Sequence, residues 1–155
     1  MKKKGKPRRP EIRNKKAWHE YIILERLEAG IALQGSEVKS LRAGGAKLDE
    51  AFARIDGDEL YLCACHIDTY SHASIRNHDA KRKRKLLVHR REIKKLIPKV
   101  VQRGQTLVPL RIYFNDRGLA KVELALARGK SHSDKRHDLK KRDHQRDMDR
   151  AMRRG

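Results

Sequence analysis

A small antiparallel β-barrel of about six strands, with two or three short helices and a flexible basic C-terminal tail, is the fold class this sequence predicts. Three observations predict it. Short runs rich in β-branched and aromatic residues recur through the middle of the chain. Two intervals between such runs are hairpin signals: the Asp56-Gly57 turn and the loop from Asn115 to Gly118. Nearly all the large apolar residues fall between about 16 and 127, so the 155 residues make one compact domain with an extension at each end.

"HEYIILERLEAGIAL" reads as strand, Gly-containing turn, strand, although its "ILERLEAG" portion also suits a helix. "SEVKSLRAGG" reads as a short helix with Ser36 as N-cap, Val38 and Leu41 on one face, and Gly44 with Gly45 as the stop. "AFARIDGDELYLCACHI" is a hairpin. "LLVHRREIKKLIPKVVQRG" is helical, with an Ile93, Leu96 and Ile97 stripe; Pro98 is expected to end or restart it, and Gly104 to close it. "TLVPLRIYFNDRGLAKVELALA" is a second hairpin in which Val122, Leu124 and Leu126 alternate with polar Lys121 and Glu123. No internal repeat is visible. In so short a domain a closed or nearly closed barrel removes exposed strand edges, and an oligonucleotide-binding type of barrel fits this element count.

The domain boundaries follow from composition. Residues 1–13 are a basic, proline-containing arm unable to bury a core; residues 14–128 are the barrel; residues 129–155 are the tail. Lys and Arg number 40 against 20 Asp and Glu, a formal net charge of +20. So positive a surface gathers polyanions by long-range attraction and counterion release. Nucleic acid is the favoured partner, and charge alone does not separate DNA from RNA. No apolar run approaches the ~20 residues of a membrane span, and "MKKKGKPRRPEIRNKKAW" lacks the apolar segment of a signal peptide, so a cytoplasmic location is expected.

Cys63 and Cys65 sit two apart in a strand-like run, which would place them on one face as small core residues in a reducing compartment. They lack partners at zinc-ligand spacing, and the eight histidines form no metal-binding motif, so neither metal nor cofactor is expected. Catalytic residues are not expected either, because Asp56 and Asp58 read as turn residues rather than a paired carboxylate site.

Lys81 to Lys85 is an unbroken run of five basic residues, including Arg82 and Arg84, with the density of a phosphate contact. The aromatic residues fall mostly within strand patterns and are expected in the core. Recognition of a folded RNA by shape and phosphate, rather than by stacked bases, is therefore expected. The tail has no Pro or Gly between residues 130 and 154 and places charges at helical i,i+4 spacing, as in Asp138/Arg142. It has too few apolar residues to fold alone. The expectation is a segment disordered when free and helical on a highly charged partner.

"NKKAWHEYIILERLEAGIALQGSEVKSLRAGGAKLDEAF", "RKRKLLVHRREIKKLI", "TLVPLRIYF" and "LARGKSHSDKR" together resemble the SmpB family, from about Asn14 into the tail. The resemblance implies a non-enzymatic protein that grips the tRNA-like domain of transfer-messenger RNA (tmRNA) and supports its alanyl charging. It also implies delivery to 70S ribosomes stalled on messages without a stop codon, with the tail helical in the empty mRNA channel near the decoding centre. Alanyl-tRNA synthetase and elongation factor Tu would be met indirectly through tmRNA, by a monomer.

Carried over by motif, the tmRNA-facing residues would be Asn14, Lys15, Glu28, Lys39, Ser40, Arg42, Lys85, Leu87 and Lys121. Glu28 cannot pair with phosphate; it would accept from base amino groups or 2′-hydroxyls, or brace a neighbour. The ribosome-facing residues would be Gly129, Lys130, Asp134, Lys135 and Arg136, with Met152 as the apolar anchor. Ser131 replaces the family's usual second Lys, and Ser133 its usual ring before Asp-Lys-Arg, which leaves His132 as the ring available there. The competing reading is a generic basic RNA-binding or ribosome-associated protein; the balanced Asp/Arg pattern of the tail argues against it.

Overall fold

The structure is a computed structural model that describes residues 10–70, 77–102 and 104–154; the side chains of His132 and Arg154 lie outside that description. In chain order the elements are β1 (Ile12–Arg13), α1 (Lys15–Glu20), β2 (Tyr21–Ile31), α2 (Gly35–Arg42), β3 (Ala46–Lys47), β4 (Phe52–Asp56) and β5 (Glu59–Cys63). Then come β6 (His66–Ile67), β7 (Arg84–Leu87), α3 (Arg90–Val100), β8 (Gln105–Phe114), β9 (Ala120–Gly129) and α4 (His132–Arg154). Six antiparallel strands close a ring in the order β8-β4-β5-β7-β2-β9, because β9 pairs back onto β8. This is the barrel the sequence predicts. β3 and β6 form a separate two-stranded sheet.

The barrel is filled by aliphatic side chains from alternate strand positions. Leu60, Leu62, Leu86, Ile112, Val122 and Leu124 are almost wholly buried. Ala125 and Ala127 point to the opposite face of β9, yet they are buried too. With Val108 and Leu110 they form a second cluster under Ala17 of α1. The small side chains let the helix lie close on the sheet.

Several expectations are corrected. "HEYIILERLEAGIAL" is not two strands around a turn: His19 and Glu20 end α1, and Tyr21–Ile31 is one strand. Gly30 lies inside that strand, where an added Cβ would stand 3.2 Å from the Leu87 Cβ on β7, so the glycine serves close approach and not a turn. A bulge between Ile23 and Glu25 bends the strand instead and turns Leu24 outward.

The N-cap of α2 is Gln34, in a capping box with Glu37, while the Ser36 hydroxyl goes to His78. The first hairpin turns at Gly57-Asp58, one residue later than expected, with Gly57 at φ +60°. "LYLCACHI" is broken at Ala64, whose φ is +56°; this sends His66 and Ile67 into the second sheet. The two cysteines therefore do not share a strand face. Cys65 is wholly buried, its thiol pushed up to about 11 by that burial, and Cys63 is half-buried.

Leu86 and Leu87 belong to β7 rather than to the helix. Pro98 neither ends nor restarts α3, which runs on through it to Val100. Of the expected stripe Ile93 and Leu96 are buried and Ile97 is exposed.

Most of the 1–13 arm lies outside the described residues, but Ile12 and Arg13 pair with Ile112 and Arg111 of β8, so the sheet begins before Asn14. The tail is α4, helical from His132 to Arg154. Among the described residues, its polar contacts with the barrel are confined to its first two turns.

Candidate nucleic-acid interface

The run Lys81 to Lys85 alternates as a strand does. Arg84 points inward with Leu86 and is wholly buried, whereas Lys81, Lys83 and Lys85 point out. The Arg84 Nε donates to Glu37 Oε2, and its Nη1 donates to the Cys65 and Arg82 carbonyls at 2.8 and 2.9 Å. Arg82 Nη2 donates to Glu37 Oε1 at 2.5 Å. Glu37 is itself wholly buried and also accepts from the Gln34 N–H at 2.9 Å. Burial raises its pKa, but the bonds from Arg82, Gln34 and Arg84 outweigh that and hold the carboxyl below the usual glutamate range. Arg84 is thus a structural cation joining β7 to α2, not a phosphate ligand, and Arg82 is half committed to the same pair.

Asn14 is also corrected. It is buried and fully bonded: its side chain accepts from the Ala17 N–H at 3.1 Å and donates to the Leu48 and Pro109 carbonyls at 3.2 and 2.9 Å. It caps α1 and stitches it to the β8 bulge where Pro109 lacks an N–H. Lys15, next to it, is exposed. Ser40 is buried with its hydroxyl on the Asp68 carbonyl at 2.6 Å. These two expected RNA contacts are therefore framework.

Four expected residues do come together. Glu28 of β2, Lys85 and Leu87 of β7 and Lys121 of β9 line one open groove of about 900 Å³, beside Gly30 and the start of α3. Leu87 lies over Gly30 and is 53 % exposed, an apolar surface in an otherwise polar groove. Lys85 Nζ is 2.9 Å from Glu59 Oε1. The Lys121 side chain makes no ion pair or hydrogen bond among the described residues.

Glu28 accepts from the Tyr113 hydroxyl, whose pKa is pushed up to about 12 by burial and by that bond. Glu28 thus braces a tyrosine in the ligand-free protein. Asp56, Asp58 and Glu59 also line the groove, so it is less basic than the sequence suggests; two of these acids hold lysines, as in Lys83–Asp56 at 3.4 Å. Lys39 and Arg42, on the exposed side of α2, lie over the Tyr70 and Phe114 rings at 5.4 and 5.7 Å.

The aromatic residues are not in the core. All seven keep at least part of their surface in solvent, and five carry a cation over the ring. Strand phase explains this: Leu60, Leu62 and Ile112 face inward, which turns Tyr61 and Tyr113 outward.

At the base of the tail, Gly129 ends β9 opposite Tyr21 and is exposed. Lys130 is folded back, its Nζ on the Trp18 carbonyl at 3.0 Å and on Asp138, so it anchors α4 to the barrel. Ser131 and Asp134 form a reciprocal cap. The Asp134 N–H donates to the Ser131 Oγ at 3.2 Å, and Asp134 Oδ2 accepts from the Ser131 N–H at 3.2 Å and its hydroxyl at 2.8 Å. The Ser that departs from the expected Lys therefore starts the helix.

The bonds from Ser131 and Lys130 hold Asp134 and Asp138, respectively, below the usual aspartate range. Depressed values mean that this support is present above the ordinary aspartate pKa and is lost as pH falls through the depressed one. Ser131→Ala should remove about 1 kcal/mol from the first turn, read as reduced helical signal in far-UV circular dichroism; an unchanged spectrum would contradict the cap. Arg136 is exposed, Lys135 half-buried, and Met152 is 77 % exposed near the end of the helix.

A closed barrel with a mixed polar groove on one side and a charged helix leaving from another, in a chain of formal net charge +20, is the build of a polyanion-binding module. The chain belongs to the SmpB family: the model described as "SmpB protein" matches residues 11–154. It is 55 % identical over 140 residues to the SsrA-binding protein of Desulforamulus reducens, covering 90 % of this chain and 87 % of that one. It is 52 % identical over 140 residues to that of Moorella thermoacetica, covering 90 % of each. A solved structure described as "tmRNA-SmpB: a journey to the center of the bacterial ribosome" is 52 % identical, with a TM-score of 0.68 over 84 % of this chain and 94 % of that one.

Proposed function

We propose that this protein binds the tRNA-like domain of tmRNA through the groove of Glu28, Lys85, Leu87 and Lys121 and carries the RNA to stalled ribosomes. The observation that carries the reading is the meeting of those four side chains from three strands on one side of the barrel. Family membership and the SsrA-binding relatives support it. Lys121 and Lys85 would take phosphates, Leu87 would lie against a ribose or base, and Glu28 would exchange Tyr113 for an RNA donor. Lys39 and Arg42 of α2, with Lys15, would widen the contact.

The finer roles follow the family resemblance. The complex would support alanyl charging, meet alanyl-tRNA synthetase and elongation factor Tu through the RNA, and act as a monomer in the cytoplasm. The tail would occupy the empty mRNA channel near the decoding centre, with Arg136, Lys135 and Met152 facing the ribosome and Asp134 and Lys130 setting the helix direction. A lone exposed helix is marginal in water, so α4 gains its full population on that partner.

Lys121→Ala should weaken binding of the tRNA-like domain about tenfold, as for loss of one charge-assisted hydrogen bond. It should also lower the salt slope by about one. An unchanged isotherm would remove Lys121 from the interface.

A further inference from the structure

We propose that Trp18 is a base-stacking platform: a second RNA-binding site, separate from the Lys121 groove, that takes an unpaired nucleobase. The inference rests on the proposed function in taking RNA as the polyanion and in taking α4 to meet RNA. Trp18 stands on α1 beside buried Ala17, and its ring is turned outward, 42 % exposed. Leaving so large an apolar surface in water forgoes the gain of burying it.

Trp18 is a shared wall of two open grooves. One, of about 530 Å³, runs past Leu24 to Lys130 and Asp134 at the base of α4; the other, of about 330 Å³, runs past Arg13 and Arg111. Arg26 lies over the indole with its guanidinium carbon 4.9 Å from the ring centroid.

An aromatic face flanked by guanidinium groups is what a single-stranded nucleic acid requires, the ring for a base and the cations for adjacent phosphates. The cations are available for this. Arg13 and Arg26 keep 70 % and 56 % of their side-chain surface in solvent although each touches one glutamate, Glu11 at 3.1 Å and Glu123 at 3.5 Å. A peptide partner would need a deeper apolar groove, and a membrane surface would need more than one ring. The position at the tail junction assigns the base to the RNA that α4 meets rather than to the RNA held by Lys121, because Trp18 is absent from the Lys121 groove.

Trp18 is the chain's single tryptophan, so its emission reports this site alone. The test titrates the full chain with an unstructured RNA octamer and with a blunt RNA duplex of equal phosphate number. Saturable quenching by the single strand, and little by the duplex, is expected. Trp18→Ala should weaken octamer binding, measured by the anisotropy of a labelled octamer, about ten- to fiftyfold. Trp18→Phe should restore most of it, and neither variant should change binding of the tRNA-like domain.

Equal quenching by the duplex, or octamer affinity unaffected by Trp18→Ala, would overturn the platform. Parallel loss of tRNA-like-domain binding in Trp18→Ala would overturn its separateness. Failure of the unaltered chain to prefer the tRNA-like domain would instead overturn the proposed function and leave the octamer result standing.

Discussion

Glu37→Ala should cost the barrel about 3–5 kcal/mol, the range for removing one partner of a buried ion pair. That is a large part of the 5–15 kcal/mol margin usual for a small domain. The Arg84 guanidinium is wholly buried, and its Nε would lose its carboxylate with no route to water. Arg82 and the Gln34 N–H would lose the same acceptor. Two elements would come apart together: α2, which carries Lys39 and Arg42, and β7, which carries Lys85 and Leu87. Loss of RNA binding would thus follow from loss of structure.

Because the folded-state pKa of Glu37 lies below its ordinary value, this stabilisation is complete above the ordinary glutamate range and fades as pH falls through the depressed value. Urea denaturation of the variant at neutral pH measures the effect; a change below about 1 kcal/mol would contradict it. Replacing Glu37 and Arg84 together by apolar residues should recover part of the loss, since no charge is then left unpaired.

Truncation after Arg128 should leave binding of the tRNA-like domain nearly intact and abolish peptide tagging on stalled ribosomes. The groove draws no residue from beyond Lys121, and the barrel closes through β8 and β9 residues that the truncation keeps. What goes is α4 and its anchor, the Lys130 bonds to Trp18 and Asp138. Equal loss of both activities would refute the division into two surfaces.

The closed barrel was legible in the sequence because strand alternation and hairpin signals are local. The Val122, Leu124 and Leu126 phase stands as read, and the second hairpin turns where expected, its loop running one residue further, from Asn115 to Leu119. The same alternation, applied to Lys81 to Lys85, would have turned Arg84 inward with Leu86; charge density was the wrong guide there.

Glu37 could not be placed from sequence, since its partners lie 45 and 47 residues away and a buried carboxylate has no local signature. Asn14 was read as a contact though it is a cap, and the capping geometry depends on carbonyls from β8 and the Leu48 turn. Trp18 precedes the run read as strand, which begins at His19, and no local pattern marked residues 15–20 as helix; in that helix Ala17 takes the buried position and Trp18 turns out. The groove was found only through the family resemblance, since no periodicity links Glu28, Lys85, Leu87 and Lys121.

The most direct test of the central claim is a binding titration at two salt concentrations. It compares the tRNA-like domain of the same organism's tmRNA with ordinary tRNA and an unrelated structured RNA. Shape-specific recognition through the Lys121 groove predicts a marked preference for the tRNA-like domain that persists at the higher salt. Equal affinities for all three RNAs, collapsing together as salt rises, would mean phosphate attraction alone and would contradict the claim.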